Sequence, residues 1–293
     1  MSVMVAPSLR LLHESSLGFF GTSERGALSL KTMRRGAALY EVGRARYRVD
    51  DDCFLVLNDH QPYAVDVDRN VESFCVFFHP AFAAGVLRAL RLTPAALLDA
   101  PFDTSARVPE LLVRTYPQRH PLGRRLRAAR LLNERHALHG PRVEQLALTL
   151  LDDLYRLAGE VRDEAGRLPW ARAATREETY RRVQRARDYA EASLHAPVTL
   201  AELADVANLA PHHFLRAFKV VTGETPHAFL TRRRLERARR LLREGMPVGR
   251  AALDVGFSSP TSFTAAYKQR FGAPPSHEEK TSNSEEVAAS DVA

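Results

Sequence analysis

Between residues 27 and 78 apolar positions come in short β-forming runs broken by Gly, Asn, Asp and Pro. Segments 28–33, 39–42, 46–49, 54–57, 63–67 and 72–78 have strand length, and Asn58-Asp59 and Gln61-Pro62 are turn formers. Six short strands this close together predict a small barrel or sandwich. After His79 the period becomes helical. Residues 120–140 are dense in Arg and Leu, and Leu146, Leu150, Leu154 and Leu157 recur at helical spacing within 143–161. That stripe fits two readings, burial in this chain's own core or a dimer seam against a second copy, and the leucines alone do not choose. Residues 164–175, with Gly166, Pro169 and alternating Ala and Arg, read as a linker.

The last third contains a repeat. Asp205, Val206, Pro211, Phe214, Ala217, Lys219, Gly223 and Pro226 return about 49 positions later as Asp254, Val255, Pro260, Phe263, Ala266, Lys268, Gly272 and Pro275. Two copies are too few for a solenoid, so they read as one module used twice. In the first copy Thr199 and Glu202 have capping-box spacing, and Leu200, Leu203, Ala204 and Ala207 share one apolar face. Asn208 ends that short helix, and Pro211 opens a second over about 211–221. There Phe214, Ala217 and Phe218 face inward, while His212, Leu215, Arg216 and Lys219 lie on other sides. The second copy repeats this with a helix over 248–255, a turn at Gly256, Ser259 as N-cap and Pro260 as first residue of the next helix. A longer helix over 226–244, closed by Gly245, joins two helix-turn-helix units. If their second helices reach successive major grooves, they lie roughly 34 Å apart or the DNA bends.

The strings APHHFLRAFKVVTGETPHAFL, RRRLERARRLL and DVGFSSPTSFTAAYKQRFGAPP resemble the DNA-binding domain of the AraC family of bacterial transcription regulators. With a preceding helix over 176–194, the resemblance covers about a hundred residues. It implies that base edges are touched by His212, Leu215 and Arg216 in the first unit, and by Thr261, Ser262, Thr264 and Ala265 in the second. Lys219 and Lys268 are expected at phosphates. Two positions depart from the family pattern: Ala210 stands where Ser usually caps, and Ala265 where an arginine is common. Arg reads guanine through two hydrogen bonds and Ser or Thr is permissive, so Arg216 is expected to dominate base discrimination.

The resemblance also implies an α+β chain. Residues 1–163 would be a cupin-like effector-binding β-barrel with a helical dimerisation segment, 164–175 a linker, and 176–276 an all-α DNA-binding domain. The expected partners are double-stranded promoter DNA, an unidentified small effector, a second copy of the chain and RNA polymerase. Tyr40, Arg46, His60, Tyr63 and Phe77 are the candidate pocket residues, although strand parity alone does not say which point inward.

Charge and composition narrow the picture. A net charge of +7 suits a nucleic-acid partner, and 176–276 holds 17 Lys and Arg against 10 Asp and Glu. The chain is Arg-rich throughout, so the arginines of 232–243 are weaker evidence than their number suggests. Residues 277–293, mostly small, polar and acidic, read as a disordered tail. There is no long apolar run and no leader, and two cysteines, Cys53 and Cys75, make no disulfide framework, which leads to the expectation of a cytoplasmic, non-membrane protein. His60 and His79 lack the spacing of a metal-dependent cupin. Nor is there a nucleophile elbow, P-loop or dinucleotide fingerprint, so neither enzyme activity nor a cofactor is expected. The competing readings are a metal- or thiol-dependent cupin enzyme joined to a DNA-binding domain, and a nonspecific architectural DNA binder.

Overall fold

The computed structural model describes residues 2–99, 110–170 and 172–278, so the expected tail lies outside the described residues beyond Glu278. The chain forms two compact units, Met1–Asp188 and Tyr189–Ala293.

In the first unit eight strands among the described residues form one sheet. They are β1 (Ser2–Val5), β2 (Leu9–Gly26), β3 (Ser29–Arg34), β4 (Ala38–Val42), β5 (Ala45–Val49), β6 (Cys53–Leu57), β7 (Gln61–Phe78) and β8 (Thr115–Pro117). The order is β1-β2-β7-β3-β6-β8, with β4 joined to β7 and β5 to β4, and each of these pairings is antiparallel. One long strand organises the sheet: β7 pairs with β4 through 64–67 and with β3 through 72–77, while β2 follows it along both parts.

The expected strands at 63–67 and 72–78 are therefore one. The polar run between them looks like a turn, but it is the place where the β2–β7 register shifts, with Gly18 and Asn70 at positive φ. A bulge of this kind bends a strand pair without ending it. Strand β2 was not anticipated; its exposed Phe19 and Phe20 depart from the alternation that marks a half-buried strand.

Alternation along β7 separates two apolar clusters. Phe74, Val76 and Phe78 pack with Leu9, Leu11, Leu30, Phe54 and Val56 against helices. On the other face Cys75, and Phe77 at its margin, meet Tyr40, Tyr47, Leu55, Val65 and Val67. The helices of this unit are α1 (Pro80–Ala89), α2 (Pro94–Asp99), α3 (Pro121–Glu134), α4 (Pro141–Gly166) and most of α5 (Ala173–Ala192). The leucine stripe on α4 belongs to the first cluster: Leu150 and Leu154 are 0% exposed, Leu157 is 3% exposed, and Leu146 packs alongside. The dimer-seam reading of Leu146, Leu150, Leu154 and Leu157 is thus corrected for the last three, because side chains already removed from solvent within one chain cannot bury themselves against another; Leu146 is half-buried at the margin of the same cluster.

The expected linker at 164–175 takes in the last turn of α4, which ends at Gly166, and the first turn of α5, which begins at Ala173, and the unit boundary falls within α5. Asp188, fully buried, accepts hydrogen bonds from the Thr115 N–H (3.2 Å) and hydroxyl (2.8 Å) and from Arg187 (2.8 Å). These bonds hold α5 to β8 as far as residue 188.

The second unit follows the sequence expectation closely, with α6 (Leu200–Val206), α7 (Pro211–Thr222), α8 (Pro226–Arg243), α9 (Val248–Asp254) and α10 (Pro260–Phe271). Its apolar interior is aromatic in both copies. Phe218 packs on Phe214 and Phe229 with ring centroids 5.4 and 5.6 Å apart, and Phe263 packs on Phe257 and Tyr267 at 5.2 and 5.5 Å.

Leu150→Ala is expected to lower the unfolding free energy of the first unit by about 2–5 kcal/mol, read by urea denaturation. A loss below about 0.5 kcal/mol would mean that this face of α4 is not core.

Candidate nucleic-acid interface

Local rules set α7 and α10 in place. The Thr199 hydroxyl accepts from the Glu202 N–H (3.1 Å) and the Glu202 carboxylate accepts from the Thr199 N–H (3.4 Å), so the predicted capping box is formed. Asn208 turns the chain with φ 51° into α7, whose N-cap Ala210 supplies no side-chain bond. By contrast Ser259 caps α10, accepting from the Ser262 N–H. Gly223 and Gly272 end the two helices at φ 81° and 79°, a left-handed conformation that costs glycine little.

With Phe214, Ala217 and Phe218 buried, His212, Leu215, Arg216 and Lys219 are left exposed on α7. Leu215 is 37% exposed and points outward, which leaves an apolar side chain available for a thymine methyl. On α10 Thr261, Ser262, Thr264, Ala265 and Lys268 are exposed around buried Phe263 and Tyr267. The Ser262 hydroxyl donates to the Ser259 carbonyl (2.9 Å), so its proton is already engaged by its own helix end.

The arginines of α8 have another task. Arg232 bonds Glu224 (2.7 Å) and Glu236 (3.1 Å), Arg233 pairs with Glu191 and Glu236, and Arg239 and Arg243 both hold Glu278 (2.6 and 2.7 Å). Arg234 donates to the carbonyls of Leu194 (2.9 Å) and Ala196 (2.6 Å). These side chains brace the unit. Arg216, Lys219 and Lys268, in contrast, have no carboxylate partner among the described residues. Within the second unit they are the exposed cations available to a polyanion among the described residues.

Gly256, in the turn between α9 and α10, completes the bracing. A Cβ there would lie 2.6 Å from the Leu194 carbonyl oxygen and 3.1 Å from the Arg234 guanidinium, and its φ is 80°.

The proposed pocket residues do not all meet. Tyr40 and Tyr63 lie 5.8 Å apart, and Tyr63 and Phe77 share a cation, the Lys31 ammonium, at 5.2 and 3.6 Å from their ring centroids. Arg46 instead pairs with Glu41 (3.0 Å) on the outside of the β4–β5 hairpin, because Ala45, Tyr47 and Val49 take the inward parity. His60 is exposed in the β6–β7 turn at φ 57°, beside Asp59 (3.5 Å). Both are therefore corrected as pocket residues. Lys31 was missed: within the apolar run of β3 it reads as an outward residue, yet it is 1% exposed. Burial, with Arg10 adding to it against the opposing pull of Cys75, lowers its pKa to about 8. Cys75 is buried and its thiol is pushed up by that burial, whereas Cys53 is only half-buried.

A second cluster also escaped notice. His13, Glu72 and Glu134 bring potential ligand atoms within 4.8 Å of one another. Arg34 lies 3.6 Å from Glu72 and 3.8 Å from Glu134, and Arg130 lies 3.6 Å from Glu134. Burial raises the Glu72 carboxyl, but the bond to His13 and the charge of Arg130 outweigh it and hold the pKa below its usual range. Two guanidinium groups neutralise the site and would repel a divalent cation, so the cluster is an ion-pair network.

A family model described as a helix-turn-helix domain matches residues 203–280. Over 89 residues the chain is 38% identical to the "Probable transcriptional regulator LumQ" of Photobacterium leiognathi, covering 30% of this chain and 36% of that protein. It is 38% identical over 78 residues to the "RCS-specific HTH-type transcriptional activator RclR" of Escherichia coli, covering 26% of this chain and 28% of that protein. The chain thus spans about a third of the length of the curated relatives it matches. A solved structure of "a probable AraC family transcriptional regulator" from Rhodopseudomonas palustris is 32% identical over 34% of this chain and 96% of that chain, with a TM-score of 0.33.

Ala210→Ser is expected to raise stability by about 0.5–1 kcal/mol in denaturant melts by giving α7 its missing cap; an unchanged midpoint would show that the first turn finds other partners. Lys31→Met carries a pH signature. The folded pKa is depressed, so the folded state is penalised fully below about pH 8, and the penalty is relieved as pH rises toward the unfolded pKa near 10.4. The stability of Lys31→Met relative to wild type should therefore fall by up to about 3 kcal/mol between pH 7 and 10.4. A difference independent of pH would rule out a penalised ammonium.

Proposed function

We propose that this chain, whose residues 203–280 are a helix-turn-helix domain of the AraC type, is a sequence-specific transcription regulator that binds double-stranded promoter DNA through α7 and α10. In this reading the first unit, a cupin-like sheet, takes up a small effector in the cytoplasm, and the chain works as a homodimer that contacts RNA polymerase. One observation supports it most: Arg232, Arg233, Arg234, Arg239 and Arg243 of α8 are tied to carboxylates and carbonyls, while Arg216 and Lys219 project from α7 with no carboxylate partner among the described residues.

The two copies read unequally. His212, Leu215 and Arg216 can meet a hydrogen-bond acceptor, a thymine methyl and a guanine edge, whereas Thr261, Ser262, Thr264 and Ala265 bring hydroxyls and methyls. The first helix therefore discriminates and the second adjusts. Lys219 and Lys268, each in the last turn of its helix, take phosphates and fix register.

Arg216→Ala should weaken binding to a selected site by about 1–3 kcal/mol while leaving scrambled DNA nearly unaffected, measured by fluorescence anisotropy at fixed salt. Lys219→Ala should weaken both DNAs alike and reduce the salt slope by about 1. Equal losses on both DNAs for Arg216→Ala would assign it to phosphate. Wild-type protein that shows no preferred site at all would leave a nonspecific architectural binder.

A further inference from the structure

The DNA-binding unit makes no use of a cavity of about 310 Å³ in the first unit, between β1, β2 and β7. Its lining contains Arg10, Arg25 and His79 but no Asp or Glu. Among the described residues neither arginine has a carboxylate partner. Val5, Leu9, Phe77 and Phe78 make the apolar part of the wall, and Tyr63 and Ser23 add hydroxyls. Positive charge is concentrated further by Lys31. Its ammonium lies 3.6 Å from the ring centroid of Phe77, and the Arg10 guanidinium lies 4.5 Å from that same ring. Lys31 is 1% exposed and has no carboxylate partner among the described residues. A buried ammonium normally has a counter-ion, because removing a charge from water is costly unless it is paired. The aromatic faces meet that need in part.

Backbone geometry holds the wall in place. Gly26 packs so closely that a Cβ would come within 2.7 Å of the Gln61 carbonyl oxygen and 3.0 Å of the Tyr63 ring. The ring is therefore set beside β2 by a position that has no room for a side chain.

We propose that this cavity binds a small organic anion, a carboxylate carried on an apolar body, with Arg10 and Arg25 receiving the carboxylate and Phe77 and Val5 receiving the body. The inference rests on the reading of the first unit as the effector-binding unit, and it names the chemistry of the effector. A neutral ligand would leave the two lining arginines without an anion. A bare inorganic anion would leave exposed Val5 and half-buried Phe77 uncovered. The volume suits a compact acid, since it lies at the lower end of the range for small-molecule sites.

The experiment uses the full-length chain with benzoate and hexanoate as probes, benzamide and hexanamide as neutral matches, and inorganic phosphate as the bare anion. Thermal shift and calorimetric titration should give stabilisation by the carboxylates at millimolar concentration and none by the amides or phosphate. Arg10→Gln and Arg25→Gln, both substitutions of exposed side chains, should each weaken carboxylate binding by roughly tenfold. The proposal is overturned if the amides bind as well as the acids, if phosphate does, if none of the carboxylates binds, or if both variants bind them like wild type. Anisotropy on promoter DNA separates the two readings. A carboxylate that binds but leaves DNA affinity unchanged keeps the anion site and removes the effector role, whereas an amide that binds and changes DNA affinity keeps the effector role and overturns the anion site.

Discussion

The geometry of the second unit depends on one side chain, Arg234. Its guanidinium donates to the Leu194 and Ala196 carbonyls that follow α5, and so secures α8 to the start of the unit. Half-burial lowers its pKa, yet a guanidinium remains charged at any physiological pH, so these charge-assisted bonds persist. Gly256 brings the turn between α9 and α10 against the same carbonyl. The entry to the unit, the long helix and the second helix-turn-helix therefore meet at one node. Arginine suits it because a rigid fork can satisfy two carbonyls at once; lysine would offer a single point charge.

This node divides the arginines by role. On α8, Arg232, Arg233, Arg234, Arg239 and Arg243 meet carbonyls or carboxylates and stiffen the rod, and Arg270 on α10 reaches Glu236 (3.3 Å). The basic helix expected to join the two helix-turn-helix units is a braced strut. The unpaired cations Arg216, Lys219 and Lys268 lie on α7 and α10, and under the proposed reading the duplicated fold is used asymmetrically: the scaffold positions and the pair Lys219 and Lys268 recur, whereas His212, Leu215 and Arg216 are replaced by Thr261, Thr264 and Ala265.

Much of this was legible from residue order because the signals were local. A capping pair at Thr199 and Glu202, a left-handed Asn208, prolines at first helical positions and glycines at helix ends fix boundaries without any distant partner. The first unit was less legible because its determinants are cross-strand. A bulge makes one strand of two apparent ones, and an exposed Phe19 and Phe20 conceal β2. The inward position of Lys31 follows from register with Cys75, which no run of residues along β3 reveals. Arg46 and His60 had the right chemistry and the wrong parity or turn. The leucines of α4 had the right spacing for two outcomes, and only the apolar cluster behind them decided between them.

Under the proposed reading a symmetric scaffold carries unequal readers, and selection of binding sites from random duplexes by the 293-residue chain is the decisive measurement. Each bound subunit should select a non-palindromic element with one strongly specified block containing guanine, opposite α7, and one weakly specified block opposite α10. Two blocks of equal information, or a stronger block assigned to α10 by a Thr264→Ala control, would contradict it.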